Sequence, residues 1–142
     1  MHVAVPKVLC YVIWQGQLLL LRQPDRPDRG VQVPGGGVEP DEELASAALR
    51  EVREETGLRA ISLGSYLGSA NYDLKVDVGP PHERHFFHLR CEEPPNARWL
   101  HIEPATPTRP FAQRFELWWE PIESARIDWE MDRFLSVLRL LA

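Results

Sequence analysis

The chain has 142 residues, 44% of them hydrophobic and 26% charged, which is the composition of a folded domain and not of a disordered chain. Its formal net charge is −5. Proteins that bind duplex DNA or long RNA usually carry an excess of Lys and Arg, so we expect neither as the main partner. The length predicts a single domain over residues 1–142.

We expect a cytoplasmic protein that does not associate with membranes. No apolar run approaches the roughly 20 residues that a bilayer span needs. Residues 1–7 lack the basic and apolar stretches of a signal peptide. Cys10 and Cys91 lie in apolar segments, where buried free thiols are expected in preference to a disulfide or a reactive thiol.

The chain begins with a predicted hairpin. Two apolar runs, residues 8–14 and Gln17–Arg22, are separated by Gln15-Gly16, which is typical of strands joined by a tight turn. A loop rich in Pro, Asp and Arg then leads to a short predicted strand at residues 31–33. Three glycines follow and are interpreted as a turn.

A helix is predicted next, from Pro40 to about Thr56, with Asp41 as its N-cap and Gly57 as its C-terminal stop. The rest of the chain predicts strands and a closing helix. The strands lie near residues 61–67, 85–91 and 115–120, and the helix covers residues 129–141. Helices placed within and after a series of strands indicate an α/β sandwich with a mixed sheet.

The central helix presents three carboxylates. Successive helical residues rotate by about 100°, so Glu51, Glu54 and Glu55 share one arc beside an apolar stripe that can pack on a sheet. Converging carboxylates repel one another unless a cation lies among them, and Mg²⁺ or Mn²⁺ prefers such oxygen ligands. A solvated helix face with a weak Arg50–Glu54 pair is the alternative for these residues taken alone.

The spacing around this helix resembles the complete Nudix box. Gly36 is followed after five residues by Glu42, and after seven more by the run Arg-Glu-Val-Arg-Glu-Glu-Thr-Gly-Leu at residues 50–58. Seven matching identities arise by chance on the order of once in 10⁸ start positions. The resemblance implies the Nudix α/β/α sandwich with a central mixed sheet. It also implies a hydrolase that cuts a pyrophosphate bond in a nucleoside diphosphate linked to another moiety.

The resemblance implies a metal site. Glu51, Glu54 and Glu55 match the metal-binding glutamates of the family, with Glu51 and Glu54 also expected to take part in catalysis. The backbone carbonyl of Gly35 matches a position that often adds a ligand. Mg²⁺ is the implied cofactor, with Mn²⁺ as an alternative, and such ions neutralise phosphate oxygens and activate water. The residues that match supporting positions are Arg50, Glu42 and Gly36.

Nudix enzymes often use a further carboxylate from outside the box. Glu116 is the first candidate, because its segment resembles the late family strand that ends in Trp and Pro. Glu103 and Glu120 are alternatives, and a box glutamate can also serve as the general base. Each can equally be a glutamate that faces solvent on an edge strand.

Substrate contacts can come from other segments. Arg22, Arg26 and Arg29 precede the box and can contact phosphates, or they belong to a polar loop without such a role. A metal site made of His82, His85 and His88 is not expected, since His85 and His88 would point to opposite faces of a strand. Polar contacts from this strand to a substrate are the alternative. Four tryptophans can stack on a base, and they are Trp14, Trp99, Trp118 and Trp119. Core packing is expected for most of them.

The substrate is left open by the segment after the box. ADP-ribose-type enzymes tend to carry a proline where this chain has Asp73, and dinucleoside polyphosphate hydrolases a tyrosine where it has Lys75. We therefore expect a small nucleotide, either a nucleoside triphosphate or a modified nucleotide cleaved to a monophosphate. The alternatives are a nucleotide sugar, a dinucleoside polyphosphate, an RNA 5′ end, or a non-catalytic nucleotide sensor. The protein is expected to be a monomer or a homodimer.

Overall fold

The computed structural model describes residues 3–73 and 80–141. One turn of 3₁₀ helix, Pro27–Arg29, lies in the loop before the glycine segment. No helix within the described residues is long and apolar enough to cross a bilayer. The strands and helices in chain order are β1 (Val5–Trp14), β2 (Gln17–Arg22), β3 (Gly35–Gly37), α1 (Leu44–Thr56), β4 (Ile61–Tyr72), β5 (His82–Cys91), β6 (Arg98–Glu103), β7 (Gln113–Pro121) and α2 (Leu135–Leu141).

The described residues form one mixed sheet between two helices. The strand order is β4-β5-β1-β2-β7-β6, with β3 added to β1. β1 and β5 are parallel and the other pairs are antiparallel. Alternate residues of a strand point to opposite faces, so the buried side chains form two clusters, one packed on α1 and one on α2. The predicted α/β/α sandwich with a central mixed sheet is confirmed.

The hairpin is confirmed, but its two strands separate. β1 pairs with β2 only at Ile13–Leu18 and Trp14–Gln17, and closer to its N-terminus it pairs with β3 instead. The strand predicted at residues 31–33 is wrong, because only Gln32 pairs there, as an isolated bridge to Leu21. The glycines predicted as a turn form β3. A Cβ on Gly35 would lie 2.2 Å from the Val8 carbonyl oxygen, so only glycine allows this close strand pairing.

The predicted start of the box helix is wrong and its predicted end is confirmed. Asp41 has φ +62 and is not the N-cap. The N–H of Glu42 donates to the carbonyl of Glu39, which closes a turn before the helix, and Glu43 becomes an N-cap without a side-chain hydrogen bond. Gly57 has φ +76, a left-handed conformation that suits glycine, and its N–H donates to a carbonyl of the last turn.

The second half of the chain differs from the prediction in two places. β6 was not predicted, because its exposed and half-buried residues alternate without a clear apolar face. The closing helix begins at Leu135 and not at residue 129, since Trp129 and Glu130 have positive φ values of 61 and 59 that no helix accommodates. The two cysteines are buried and free, as predicted.

Candidate active site

A cavity of about 500 Å³ lies where β1 separates from β2. This is a volume typical of small-ligand sites. β3 lines it with Gly35–Gly37, and α1 contributes Glu51 and Glu55. Glu103 at the end of β6 and Arg109 in the following loop also line it. The box residues and the opposite edge of the sheet therefore share one cleft.

Glu51 is held against the glycine strand. It is 9% exposed, and one carboxylate oxygen accepts a hydrogen bond from Arg50 Nη1 at 2.9 Å. A Cβ placed on Gly36 would lie 2.5 Å from this carboxylate, so the absence of a side chain there makes room for Glu51. Burial raises the pKa of Glu51 to about 7 against the opposing effect of Arg50, and the charges of Glu54 and Glu103 raise it further.

Glu55 and Glu54 are held differently. Glu55 Oε1 accepts a hydrogen bond from the N–H of Gly35 at 2.7 Å, which ties α1 to β3. Burial raises the pKa of Glu55 well above its usual value, and the charge of Glu51 adds to the effect. Glu54 is more exposed, and its carboxylate lies 3.3 Å from Arg50 Nη1. Glu54 is not among the residues that line the cavity.

Arg50 connects the helix to the loop before it. Its guanidinium donates two hydrogen bonds to Glu42, both 2.8 Å long, and one to the carbonyl of Gly37 at 2.9 Å. The same group contacts Glu51 and Glu54. The hydrogen bonds from Arg50 lower the pKa of Glu42 to about 2. The planar fork of an arginine suits this many-sided contact, which a lysine could not reproduce.

The donor set of the cleft fits a hard divalent cation. Glu51, Glu55 and Glu103 carry raised pKa values because they are removed from water. The charge of Glu103 also raises the pKa of Glu51 and of Glu55, and the charge of Glu51 raises that of Glu55. A cation among them would relieve both effects, and carboxylate oxygens are the ligands that Mg²⁺ prefers. Within residues 3–73 and 80–141 no group of three acidic, histidine or cysteine side chains already stands at metal-binding distances. Arg50 and the Gly35 N–H hold these carboxylates instead.

Of the three carboxylates considered outside the box, the structure brings Glu103 to the cleft. Its pKa is raised by burial, an effect that Arg109, with a nitrogen 3.4 Å away, opposes. Glu116 lies on the other face of β7 from Phe115, which packs towards α1, and it forms ion pairs with Arg22 and Arg98. The geometry therefore does not support Glu116 as the first candidate. The third, Glu120, accepts a hydrogen bond from Trp118 Nε1.

The loop arginines separate in the structure. Arg22 pairs with Glu116, Arg26 pairs with Asp28, and only Arg29 lines the cavity. Of the three arginines expected to contact phosphates, only Arg29 therefore lies where it could do so. Three basic lining residues were not predicted, and they are Lys7, Arg84 and Arg109. A fourth, His82, belongs to the histidine segment for which substrate contacts were an alternative. One signal in the sequence could have indicated Arg84. It lies two residues before Phe86, so it points to the same face of β5, the apolar face that packs towards α2, where a charged residue is unusual.

The candidate tryptophans and two of the three candidate histidines lie away from the cavity lining, and only His82 belongs to it. His85 contacts Glu83 and Tyr66, on the opposite face of β5 from His88. None of the four candidate tryptophans is among the described lining residues of the cavity. Trp99 instead donates its indole N–H to the carbonyl of Thr56 at the end of α1. Lys75 lies outside the described residues.

Comparison with known proteins gives a family match and relatives that are similar over part of their length. The NUDIX domain matches this chain over residues 4–138. Human diphosphoinositol polyphosphate phosphohydrolase 3-alpha is 48% identical over 79 residues, which cover 56% of this chain and 44% of that protein. The putative 8-oxo-dGTP diphosphatase YtkD of Bacillus subtilis (strain 168) is 59% identical over 44 residues, 31% of this chain and 27% of the relative. The chain thus spans less than half the length of either relative.

The fold has close counterparts among solved structures. A binary complex of the C. elegans Ap4A hydrolase superposes with a TM-score of 0.69 and 20% sequence identity, covering 97% of each chain. At this identity the likeness concerns the fold alone. Any statement about chemistry therefore depends on the residues around the cleft.

Proposed function

Because this chain belongs to the NUDIX domain family, we propose that it is a metal-dependent hydrolase that cuts a pyrophosphate bond in a nucleoside diphosphate linked to another group. The observation that carries the proposal is the cleft itself. Glu51 and Glu55 meet Gly35–Gly37 there, within a cavity that also has a basic wall. Acidic groups that can hold a cation and basic groups that can hold phosphate are what such a reaction requires.

The box residues would hold the metal. Glu51, Glu54 and Glu55, with the carbonyl of Gly35, would bind Mg²⁺, or Mn²⁺ in its place. The bound ion supplies charge neutralisation at phosphate oxygens and a lower pKa for a coordinated water. Arg50 keeps two of these glutamates in place through the contacts described above.

Glu103 is proposed as the carboxylate from outside the box. It lies in the cleft and its pKa is raised by burial, which makes it a better proton acceptor than an exposed glutamate. In this role it would accept a proton from the attacking water. Arg109, beside it, keeps the ionised form accessible.

For the substrate we propose a nucleoside triphosphate or a modified nucleotide that is cleaved to a monophosphate. The name of the Bacillus subtilis relative supports this class. A diphosphoinositol polyphosphate is the second candidate, because the human relative with 48% identity over 79 residues carries that name. Nucleotide sugars and dinucleoside polyphosphates remain alternatives, as does a sensor that binds without cutting. We further propose a cytoplasmic monomer or homodimer, to be tested by fractionation and light scattering.

The test is a substrate panel with Mg²⁺. Nucleoside triphosphates, 8-oxo-dGTP, nucleotide sugars, dinucleoside polyphosphates and diphosphoinositol polyphosphates are incubated with the protein, and the products are separated by chromatography. The double variant Glu54→Gln, Glu55→Gln is run in parallel. Glu43→Gln is the matched control, since Glu43 is exposed on the same helix and caps it without a side-chain hydrogen bond.

The expected result is metal-dependent cleavage of one substrate class that the double variant loses and Glu43→Gln retains. Equal activity in the double variant would contradict the metal site. Tight nucleotide binding without turnover of any compound would favour the sensor instead.

A further inference from the structure

A row of basic side chains lines the cleft on the other side of β3 from the carboxylates. Lys7 of β1 is in register with Gly37 of β3 on one side and with Arg84 of β5 on the other. His82 lies two residues before Arg84 and therefore points to the same face. Neighbouring strands are about 4.8 Å apart, so these three side chains are close together. All of them line the cavity.

Arg84 is buried without a carboxylate partner. It is only 6% exposed, one N–H group donates to the carbonyl of Trp129, and the guanidinium lies 3.8 Å from the centre of the Tyr72 ring. It forms no ion pair within residues 3–73 and 80–141. No fully buried side-chain nitrogen or oxygen of this part of the chain lacks a hydrogen-bond partner, so the remaining N–H groups of Arg84 are not fully buried. Arg84 lines the cavity and also a smaller pocket beside Tyr72 and Glu130.

The groups around Arg84 carry both signs of charge. Lys7 and His82 share the cavity with it, while burial lowers the pKa of Arg84 and the charge of Glu130 raises it. Burial lowers the pKa of His82, and the charges of Lys7 and Arg84 lower it further, which places all three within electrostatic reach. A buried cation without a counter-ion is costly. Two permanent cations side by side cost still more free energy, unless an anion binds between them.

The glycine strand separates the two kinds of charge. The Glu51 carboxylate approaches Gly36 from the α1 side, while Lys7 Nζ lies 3.6 Å from the point where a Cβ of Gly37 would stand. Successive residues of a strand are about 3.3 Å apart and face opposite sides. An extended anionic ligand that crosses β3 would therefore reach the carboxylates that would hold a metal on one side and the basic row on the other.

We propose that Lys7, His82 and Arg84 form a subsite for a phosphate group of the substrate other than the two joined by the scissile bond. The inference rests on the proposed function, because it places the scissile pyrophosphate at the box glutamates. The ligand chemistry is a dianionic phosphoryl group with three free oxygens, whether the terminal phosphate of a nucleoside triphosphate or a ring phosphate monoester of a polyphosphorylated alcohol. A nucleotide sugar has no such group and would be a poor substrate.

The first experiment measures binding without metal. Inorganic tripolyphosphate is titrated in EDTA into the wild-type protein, Arg84→Gln, Lys7→Gln and the control Arg90→Gln by calorimetry, with thermal unfolding alongside. Arg90 is on the same strand but exposed, 3.8 Å from Glu92 and away from the cavity. Lys7→Gln is the second variant because Lys7 is half-buried, so its substitution leaves the fold intact even if that of Arg84 does not.

We expect tripolyphosphate to bind the wild type and to raise its melting temperature with concentration. Each of the two subsite variants should weaken binding about tenfold or more, since a hydrogen bond to a charged group is worth at least that factor. Arg90→Gln should stay within about twofold. Equal affinity in all four proteins, or no wild-type binding at millimolar concentration, overturns the subsite.

A second experiment separates this inference from the proposed function. With Mg²⁺, Lys7→Gln should raise KM for a nucleoside triphosphate about tenfold while kcat changes less than about threefold. Competition by inositol hexakisphosphate distinguishes ring phosphates from a terminal phosphate as the natural source. If tripolyphosphate binding depends on Arg84 and Lys7 but no compound is hydrolysed, the proposed function fails and the subsite stands. Turnover with an unchanged KM in both variants overturns the subsite and leaves the hydrolase.

Discussion

Substitution of Gly36 by alanine should impair catalysis while leaving the fold intact. The added Cβ would lie 2.5 Å from Cδ and Oε2 of Glu51 and 2.6 Å from Oε1. Carbon atoms in contact are about 3.5 Å apart or more, so the carboxylate must move by about 1 Å. The carboxylate ends a flexible side chain, and Gly36 has no positive φ, so neither packing nor backbone opposes the substitution strongly. A displacement of about 1 Å in a catalytic group can cost about a hundredfold in rate, or about 2.7 kcal/mol of activation free energy.

The matched control is Gly37→Ala, the next residue of the same strand. Its Cβ would meet only Lys7 Nζ, at an ordinary contact distance of 3.6 Å. Both variants are assayed for kcat on the substrate identified by the panel, for Mn²⁺ affinity by calorimetry, and for melting temperature. We expect Gly36→Ala to lose about a hundredfold in kcat together with metal affinity, and Gly37→Ala to stay within about threefold. Full activity in Gly36→Ala, or an equal loss in Gly37→Ala, would refute the role assigned to Glu51.

Two further predictions concern the surroundings of the box helix. Glu103→Gln should lower kcat by a factor of about 10² to 10⁴, as expected for loss of a general base. The kcat of Glu116→Gln should stay within about threefold of the wild type. Steady-state kinetics that rank the two variants in the reverse order would make Glu116 the candidate general base again. Trp99→Phe removes the 2.8 Å hydrogen bond to the carbonyl of Thr56 and should lower the free energy of unfolding by about 1 kcal/mol and the melting temperature by about 2–4 °C. An unchanged melting temperature would show that this bond does not stabilise the end of α1.

The fold and the acidic half of the site could be predicted because their signals are local. Glu51, Glu54 and Glu55 lie within two turns of one helix, so helical geometry alone places them on one arc. The left-handed Gly57 that ends the helix is likewise a local feature. The start of the helix was misplaced because Asp41 is a good N-cap by type. Its positive φ belongs to the turn between Glu39 and Glu42, which contains Asp41 and precedes the helix.

The basic half of the site could not be predicted in the same way. Lys7 and Arg84 are far apart in the chain and meet only because β1 and β5 pair in parallel. Parallel pairing depends on the connection between the strands, which no short window of sequence reports. The sequence favours Glu116 over Glu103 because the segment of Glu116 resembles a late family strand, a resemblance that carries no information about which strand reaches the cleft. β6 carries a weak pattern, and only its pairing with β7 brings Glu103 to the cleft.

Under the proposed function, the layout of charge across β3 would explain how a protein with a net charge of −5 attracts an anionic substrate. Glu51 and Glu55 repel phosphate until a cation neutralises them, whereas Lys7 and Arg84 attract it at once. A metal ion on one side of β3 would therefore favour the phosphate chain that crosses to the other side. By linkage the phosphate would favour the metal to the same extent. The glycines make this coupling possible, because with no side chains between the two charged groups a single ligand can reach both.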